Sequence, residues 1–167
     1  TQFSSFVFIF HALLYAYEHA NTNITIFYFN LEETPERVMN RLMSYLLFTF
    51  DNIRISPRDL RSTINTKPIP EEILQLLNTE KYKKVLSYFE EHIIFSSTSN
   101  PTGIYKECKS YAEKHGKTYS TEKEITDEIG FPKKIQVFER YEADDPNEYK
   151  LIYIDHIGLI DTERGMS

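Results

Sequence analysis

Two apolar segments of this chain each run into acidic residues. Residues 24–29 are followed by Asn30, Leu31, Glu32 and Glu33, and residues 151–154 are followed by Asp155. Apolar runs rich in β-branched residues are typical of buried parallel strands. Ligands of open α/β sheets bind outside the carboxyl ends of such strands. We therefore expect carboxylates from both segments at one edge of a sheet. This arrangement is more typical of a nucleotide-hydrolysis site than of an ordinary hydrophobic core.

Each acid also has a simpler structural interpretation. Asp155 can cap a neighbouring helix from the end of its strand. Glu33 can stabilise the N-terminus of the helix that follows, because the helix dipole favours negative charge there. His156 beside Asp155 can sense a phosphate or bind a metal, but a lone histidine at a strand end is more often structural, and we leave it out of the site.

Composition limits the class of protein. The chain has 167 residues, a hydrophobic fraction of 41%, a charged fraction of 26% and a formal net charge of −6. These values favour a globular domain and argue against a domain-wide basic surface for nucleic acid, although a local basic groove is not excluded. A single cysteine, Cys108, excludes an internal disulfide and suits a reducing compartment. The apolar run at residues 2–17 is too short to span a membrane. Its apolar residues recur at steps of three and four, which predicts a core helix whose buried face contains Phe3, Phe6, Val7, Phe10, Leu13, Leu14 and Tyr17.

Helical and strand patterns alternate along the chain, which predicts an α/β fold with a mostly parallel sheet and helices on both faces. We expect strands at residues 24–29, 93–95, 135–138 and 151–154. Helices are expected at 1–19, after Thr34-Pro35, after Ser56-Pro57, after Pro70, at 79–90 and at 101–114, where Gly116 stops the last. The helices at about 51–91 have no strand between them and predict a helical cluster beside the sheet.

The order of these motifs resembles the RecA-like motor domain of DnaB-type replicative helicases. The similar stretches are Thr1-Gln2-Phe3, Asn30-Leu31-Glu32-Glu33-Thr34, Asn40-Arg41-Leu42, Ser56-Pro57-Arg58-Asp59-Leu60-Arg61 and residues 151–160. The resemblance implies a three-layer RecA-like P-loop NTPase fold. It further implies that residues 1–167 are a single partial domain that begins at the end of the phosphate-binding (Walker A) loop.

Site residues follow from the same resemblance. Glu32 is the expected catalytic carboxylate, which orients or deprotonates the attacking water, with Glu33 as its rival. Asp155 is expected to hold Mg²⁺ through water, and Thr1 to offer its hydroxyl to the same ion and to the bound nucleotide. The implied cofactors are ATP and Mg²⁺.

The resemblance also implies a function and partners. It predicts an ATP-hydrolysing motor of a ring-forming replicative DNA helicase, a homo-oligomer, expected as a hexamer, that hydrolyses ATP at subunit interfaces. Single-stranded DNA would bind through regions mostly outside this segment. The expected location is the cytoplasm of a bacterium or of a phage-infected host. Alternatives are a recombinase-type or circadian-clock-type RecA-like ATPase, or a degenerate RecA-like domain that serves as a loader or structural partner.

Three features depart from that family. The glycine-rich loop and its lysine are missing, so the isolated segment is expected to be inactive. Gly158 stands where the family usually has a glutamine that couples nucleotide state to DNA contact. Residues 117–147 exceed what the family needs and predict an insertion or a divergent viral-type relative. Gly116-Lys117-Thr118 imitates the end of a phosphate loop, but Tyr111 stands where the motif requires glycine, so we interpret it as a helix stop.

Overall fold

Helices and strands alternate in the computed structural model, which describes residues 2–61, 68–126 and 130–161. The helical elements are α1 (Gln2–Ser5), a π-helical segment (Phe6–His11), α2 (Ala12–Glu18), α3 (Pro35–Asp51), α4 (Glu71–Leu77), α5 (Glu80–His92), α6 (Pro101–Lys114) and a 3₁₀ turn (Ile157–Leu159). The strands are β1 (Asn23–Asn30), β2 (Ile93–Ser96), β3 (Gly116–Thr126), β4 (Pro132–Ala143) and β5 (Glu148–Asp155).

Strands β2, β1 and β5 form a three-stranded sheet in that order, and both pairings are parallel. The three strands predicted from apolar runs are therefore confirmed. Residue Ile26 pairs with Ile93 on one side and with Leu151 on the other. Because the strands run parallel, the chain must return to the starting edge of the sheet between one strand and the next. Helices α3, α4 and α5 lie between β1 and β2, and α6, β3 and β4 lie between β2 and β5.

Helices cover both faces of the sheet. Alternate β1 residues Ile26 and Tyr28 join the larger core, which contains side chains of the N-terminal helix, α3 and α5. Phe27 and Phe29 point the other way and pack with Ile104 of α6. This division follows from the two-residue period of a strand, and it confirms the predicted α/β arrangement with helices on both faces.

The N-terminal helix runs without a break through α1, the π-helical segment and α2, but its buried face differs from the predicted one. Phe10, Leu13 and Leu14 are buried as predicted, whereas Phe3 is 77% exposed and Phe6 43%. The π-helical segment explains the difference, because its wider turn shifts the register of every residue before it. Among the described residues, no helix combines the length and apolarity that a membrane crossing needs.

Most predicted helix starts are confirmed. Thr34, Pro70 and Thr79 occupy the N-cap positions of α3, α4 and α5, and Asn100 caps α6 by accepting a hydrogen bond from the Gly103 amide at 2.7 Å. The start predicted at Ser56-Pro57 is wrong, because residues 57–60 form a turn and residues 52–56 are not helical. The Asp59 amide donates to the Ser56 hydroxyl at 3.2 Å. Such a local bond between the backbone and a serine side chain offers the chain a turn in place of a helix. Only α4 and α5 thus remain of the predicted cluster within the described part of 51–91.

Residues 117–147, predicted as an insertion, form most of a β-hairpin. Strands β3 and β4 pair antiparallel from Gly116 and Ala143 outward, with an irregularity at Tyr119 and Ser120. The predicted strand at 135–138 lies inside β4, while β3 was not predicted because its threonines and charges lack an apolar pattern. Gly116 opens β3, and His115 is the C-cap of α6, so Gly116-Lys117-Thr118 is a strand start and forms no phosphate loop.

The start of the β1–β5 pair is fixed by a buried carboxylate. The side chain of Glu148 is 6% exposed and forms an ion pair with Lys150. Hydroxyls of Thr25 and Tyr111 each donate to it at 3.2 Å. Burial alone would raise the pKa of Glu148, but Lys150 and the two hydroxyl donors outweigh it and lower the pKa below its ordinary value.

This network predicts an acid-sensitive contribution to stability. A carboxyl group whose folded pKa is lowered stabilises the fold above its unfolded pKa, about 4.3 for glutamate, and loses this effect as the pH falls through the folded pKa. The free energy of unfolding should therefore fall with pH below about 4. Glu148→Gln should flatten this part of the curve, as measured by urea unfolding across pH. The exposed Glu72→Gln is the control, and an equal flattening in it would contradict the assignment to Glu148.

Candidate functional site

The carboxyl ends of β1 and β5 meet at one edge of the sheet. Asn30 is in register with Asp155, and the amide of Leu31 donates to the backbone carbonyl of Asp155 at 2.8 Å. Since the strands are parallel, Glu32 and Asp155 follow the ends of β1 and β5 on the same side. The predicted placement of both acids at one edge is therefore confirmed.

Asp155 is the buried acid of this edge, only 4% exposed. Its Oδ2 accepts a hydrogen bond from the Tyr28 hydroxyl at 3.1 Å. Its Oδ1 makes no hydrogen bond within the described ranges, and Asp155 lines a groove of about 530 Å³. The helix-capping interpretation of Asp155 finds no support, because its recorded side-chain partner is a tyrosine.

Tyr28 is fully buried beneath the site and belongs to a short hydrogen-bond network. Burial, the negative charge of Asp155 and the hydrogen bond between them raise the pKa of Tyr28, while Arg41 and a hydrogen bond with Ser5 oppose the rise. Tyr153, the register partner of Tyr28, bonds the hydroxyls of Ser4 at 2.7 Å and Ser5 at 3.4 Å. The network thus joins Asp155 to the start of the N-terminal helix.

Glu32 and Glu33 differ sharply in their surroundings. Glu33 forms a two-point ion pair with Arg41, and its amide donates to the Asn30 side chain at 3.1 Å. Glu32 is exposed and has no hydrogen bond or ion pair within the described part of the chain. Of the two neighbours, Glu32 is therefore the one whose carboxylate is available to a ligand or to water.

The first turn of the N-terminal helix reaches the same edge. Ser4 and Phe8 line the groove together with β5, Asp155 and His156. A ligand in the groove would thus lie between the N-terminal helix and Asp155.

The fit to Mg²⁺ depends on how many ligands the protein must supply. No group of three or more His, Cys, Asp or Glu side chains that could hold a metal occurs in residues 2–61, 68–126 and 130–161. Mg²⁺ that travels with phosphates keeps water ligands and needs only one or two carboxylates. Asp155, with one oxygen free of hydrogen bonds beside the groove, fits that role. Thr1, predicted to bind the same ion, lies outside the described residues.

Two further residues belong to this edge. Arg41 was part of the resemblance but had no role, and its Nε is buried without a hydrogen-bond partner among the described residues. A water or an anionic group would relieve this unfavourable donor. Tyr28 lies inside an apolar run, where a tyrosine predicts ordinary core packing. The only sequence signal for a role in the site was its position two residues before the end of the strand.

Gly158 lies just beyond the edge, next to His156. A Cβ at Gly158 would come within 2.8 Å of the His156 ring. The glutamine usual in the resembling family would therefore require His156 to turn away. His156 itself is exposed and lines the groove beside Asp155.

Comparison with protein-family models, with curated proteins and with solved structures finds no match to this chain.

The ion pair between Glu33 and Arg41 predicts a stability effect that is separate from catalysis. Their side chains are 21% and 12% exposed, so the pair lies between surface and buried cases. Arg41→Met leaves Glu33 without its partner and should lower the free energy of unfolding by about 1–3 kcal/mol. Urea unfolding of both single variants and of Arg41→Met with Glu33→Gln would measure the coupling. Additive losses would contradict the pairing.

Proposed function

We propose that this chain is part of the ATP-hydrolysing motor domain of a ring-forming replicative DNA helicase with a RecA-like fold. The observation that carries the proposal is the meeting of three elements at one sheet edge. The start of the N-terminal helix, the buried Asp155 and the exposed Glu32 all adjoin it. The helix lines the groove, and the two acids are a candidate metal ligand and a candidate base, which phosphoryl transfer requires together.

Each residue has a distinct task in this proposal. ATP brings its Mg²⁺, which neutralises charge on the phosphates. Asp155 would hold that ion, while Tyr28 donates a hydrogen bond to its Oδ2. Glu32 orients or deprotonates the attacking water, and it is suited to this because no cation neutralises it within the described residues. Arg41 keeps Glu33 from competing for the same water.

The open edge of β5 supports a RecA-like assembly. The sequence of β5 is that of a strand covered on both sides, yet β5 is the outer strand of its sheet and Ile152 is 56% exposed. In RecA-like domains the strand that carries the phosphate loop is central. Such a strand, added beside β5, would cover this edge and place its loop next to the start of the N-terminal helix.

The proposed reaction needs a glycine-rich loop and lysine that residues 1–167 do not contain. Without them, no backbone amides cradle the phosphates and no lysine reaches the β and γ oxygens. The purified segment 1–167 should therefore show no ATP turnover, as measured by phosphate release with Mg²⁺. Mg²⁺-dependent hydrolysis by this segment that is lost in Asp155→Asn would overturn the proposed family.

In a longer form that supplies the loop, Asp155 and Glu32 should separate binding from hydrolysis. Asp155→Asn should weaken Mg²⁺-dependent nucleotide binding, because it removes charge beside the ion. Glu32→Gln should leave binding intact and lower the hydrolysis rate by about a hundredfold or more, the scale for a lost general base. Nucleotide titration beside steady-state hydrolysis measures both effects, and unwinding of duplex DNA should fall with hydrolysis.

Glu33→Gln is the matched control, since it changes the neighbouring acid that Arg41 already engages. It should keep most of the hydrolysis rate. If Glu33→Gln abolishes turnover and Glu32→Gln does not, the assignment of the base is wrong by one residue. Hydrolysis without unwinding would instead favour the recombinase-type or clock-type ATPase, and absence of nucleotide binding would favour the non-catalytic alternative.

A further inference from the structure

We propose that Tyr28 is a positioning residue that fixes the carboxylate of Asp155 for metal binding. The inference rests on the proposed function, because it concerns the same site. The Tyr28 hydroxyl lies 3.1 Å from Asp155 Oδ2. An ionised carboxylate only accepts hydrogen bonds, so the phenol is the donor. Nothing in the resemblance to helicases assigns a role to this tyrosine.

The ring of Tyr28 is held from both neighbouring strands. Phe95 of β2 lies with its ring centroid 5.5 Å away, and Tyr153 of β5 lies 5.0 Å away in an edge-to-face arrangement. Tyr28 is also fully buried. A ring packed in this way has one available orientation, so its hydroxyl is a fixed donor at the end of β5.

A fixed donor restricts the orientation of Asp155. With Oδ2 held by Tyr28, Oδ1 is the oxygen without a hydrogen bond in the described part of the chain. The carboxylate then presents the same oxygen to an ion without first losing rotational freedom. Residues that orient metal ligands in this way commonly change metal affinity by about 10–100-fold when mutated.

Ser5 ties Tyr28 to the N-terminal helix. Ser5 is fully buried, its hydroxyl lies 3.4 Å from that of Tyr153, and it opposes the rise in the pKa of Tyr28. The helix that lines the groove and the carboxylate that would hold the metal therefore share one support. A shift of the helix would therefore move the Tyr28 hydroxyl and, with it, the carboxylate of Asp155.

The test uses Mn²⁺ in place of Mg²⁺, with ADP, on a form of the protein that carries the phosphate loop. Free Mn²⁺ measured by electron paramagnetic resonance gives its affinity without any turnover. Tyr28→Phe keeps the ring and removes the donor, and it should weaken Mn²⁺ binding about tenfold. Tyr82→Phe is the matched control, because it removes the hydroxyl of another fully buried tyrosine, which bonds Asp51 at 2.6 Å and does not line the groove. Its Mn²⁺ affinity should equal that of the unmodified protein.

Asp155→Asn distinguishes failure of this inference from failure of the proposed function. If Asp155→Asn leaves Mn²⁺ affinity unchanged, Asp155 does not hold the metal and the proposed function falls. If Asp155→Asn weakens binding and Tyr28→Phe does not, only the role of Tyr28 is overturned. Equal losses in Tyr28→Phe and Tyr82→Phe would also overturn it, since the effect would then not pass through Asp155.

A second variant and a second measurement guard against loss of folding in Tyr28→Phe. Ser5→Ala removes the support of the Tyr28 hydroxyl and should weaken Mn²⁺ binding in the same direction but less. In segment 1–167 itself, scalar couplings by nuclear magnetic resonance report the rotamer of Asp155. A single rotamer in the unmodified chain should become averaged in Tyr28→Phe, and an unchanged single rotamer would contradict positioning by Tyr28.

Discussion

The parallel pairing of β1 with β5 is the constraint on which the site depends. The pairing holds Asn23 beside Glu148 and Asn30 beside Asp155. Because side chains alternate along a strand, a slip of one residue would turn Tyr28 toward α6 and remove the donor from Asp155. Each end of the pair is anchored by a different carboxylate. Glu148 binds Thr25 and Tyr111 at one end, and Asp155 binds Tyr28 at the other.

The two buried carboxylates of β5 are satisfied to different degrees, and the difference separates structure from function. Glu148 has a cation and two hydroxyl donors, so its charge is compensated within the fold. Asp155 has one hydroxyl donor among the described residues and adjoins an open groove. Burying a charge with so little compensation is unfavourable for stability alone. An ion at Oδ1 would compensate it, which is why Asp155, and not Glu148, is the candidate ligand.

Sequence patterns predicted the parts of the fold that long apolar runs and helix caps determine. The three parallel strands, the starts of α3 to α6 and the shared edge of Glu32 and Asp155 follow from such local signals. The exposure of Phe3 and Phe6 could not be predicted, because the π-helical segment changes the helical period without a sequence signal. Strand β3 was missed for a related reason: an exposed hairpin strand needs no apolar face.

The site could be predicted only as far as its charged residues. Two acids after two strands were visible in the sequence, and their common edge followed from parallel pairing. The choice between Glu32 and Glu33 required the fold, since it depends on Arg41 reaching Glu33 from α3. The role of Tyr28 also required it, because one tyrosine among apolar strand residues resembles ordinary core packing until its partner across the sheet is known.

The exposed edge of β5 connects stability with the proposed chemistry. Unpaired strand edges invite association with other strands, and natural proteins usually cover or charge them. Among the described strands β5 has no neighbour on its outer side, and its exposed Leu151 and Ile152 offer little protection. β2, at the opposite edge, spans only Ile93–Ser96 and presents a shorter edge. One added strand beside β5 would therefore remove the larger liability and, in a RecA-like domain, would bring the phosphate loop to Asp155. The added strand would thus both cover the exposed edge of β5 and supply the loop that the proposed chemistry requires.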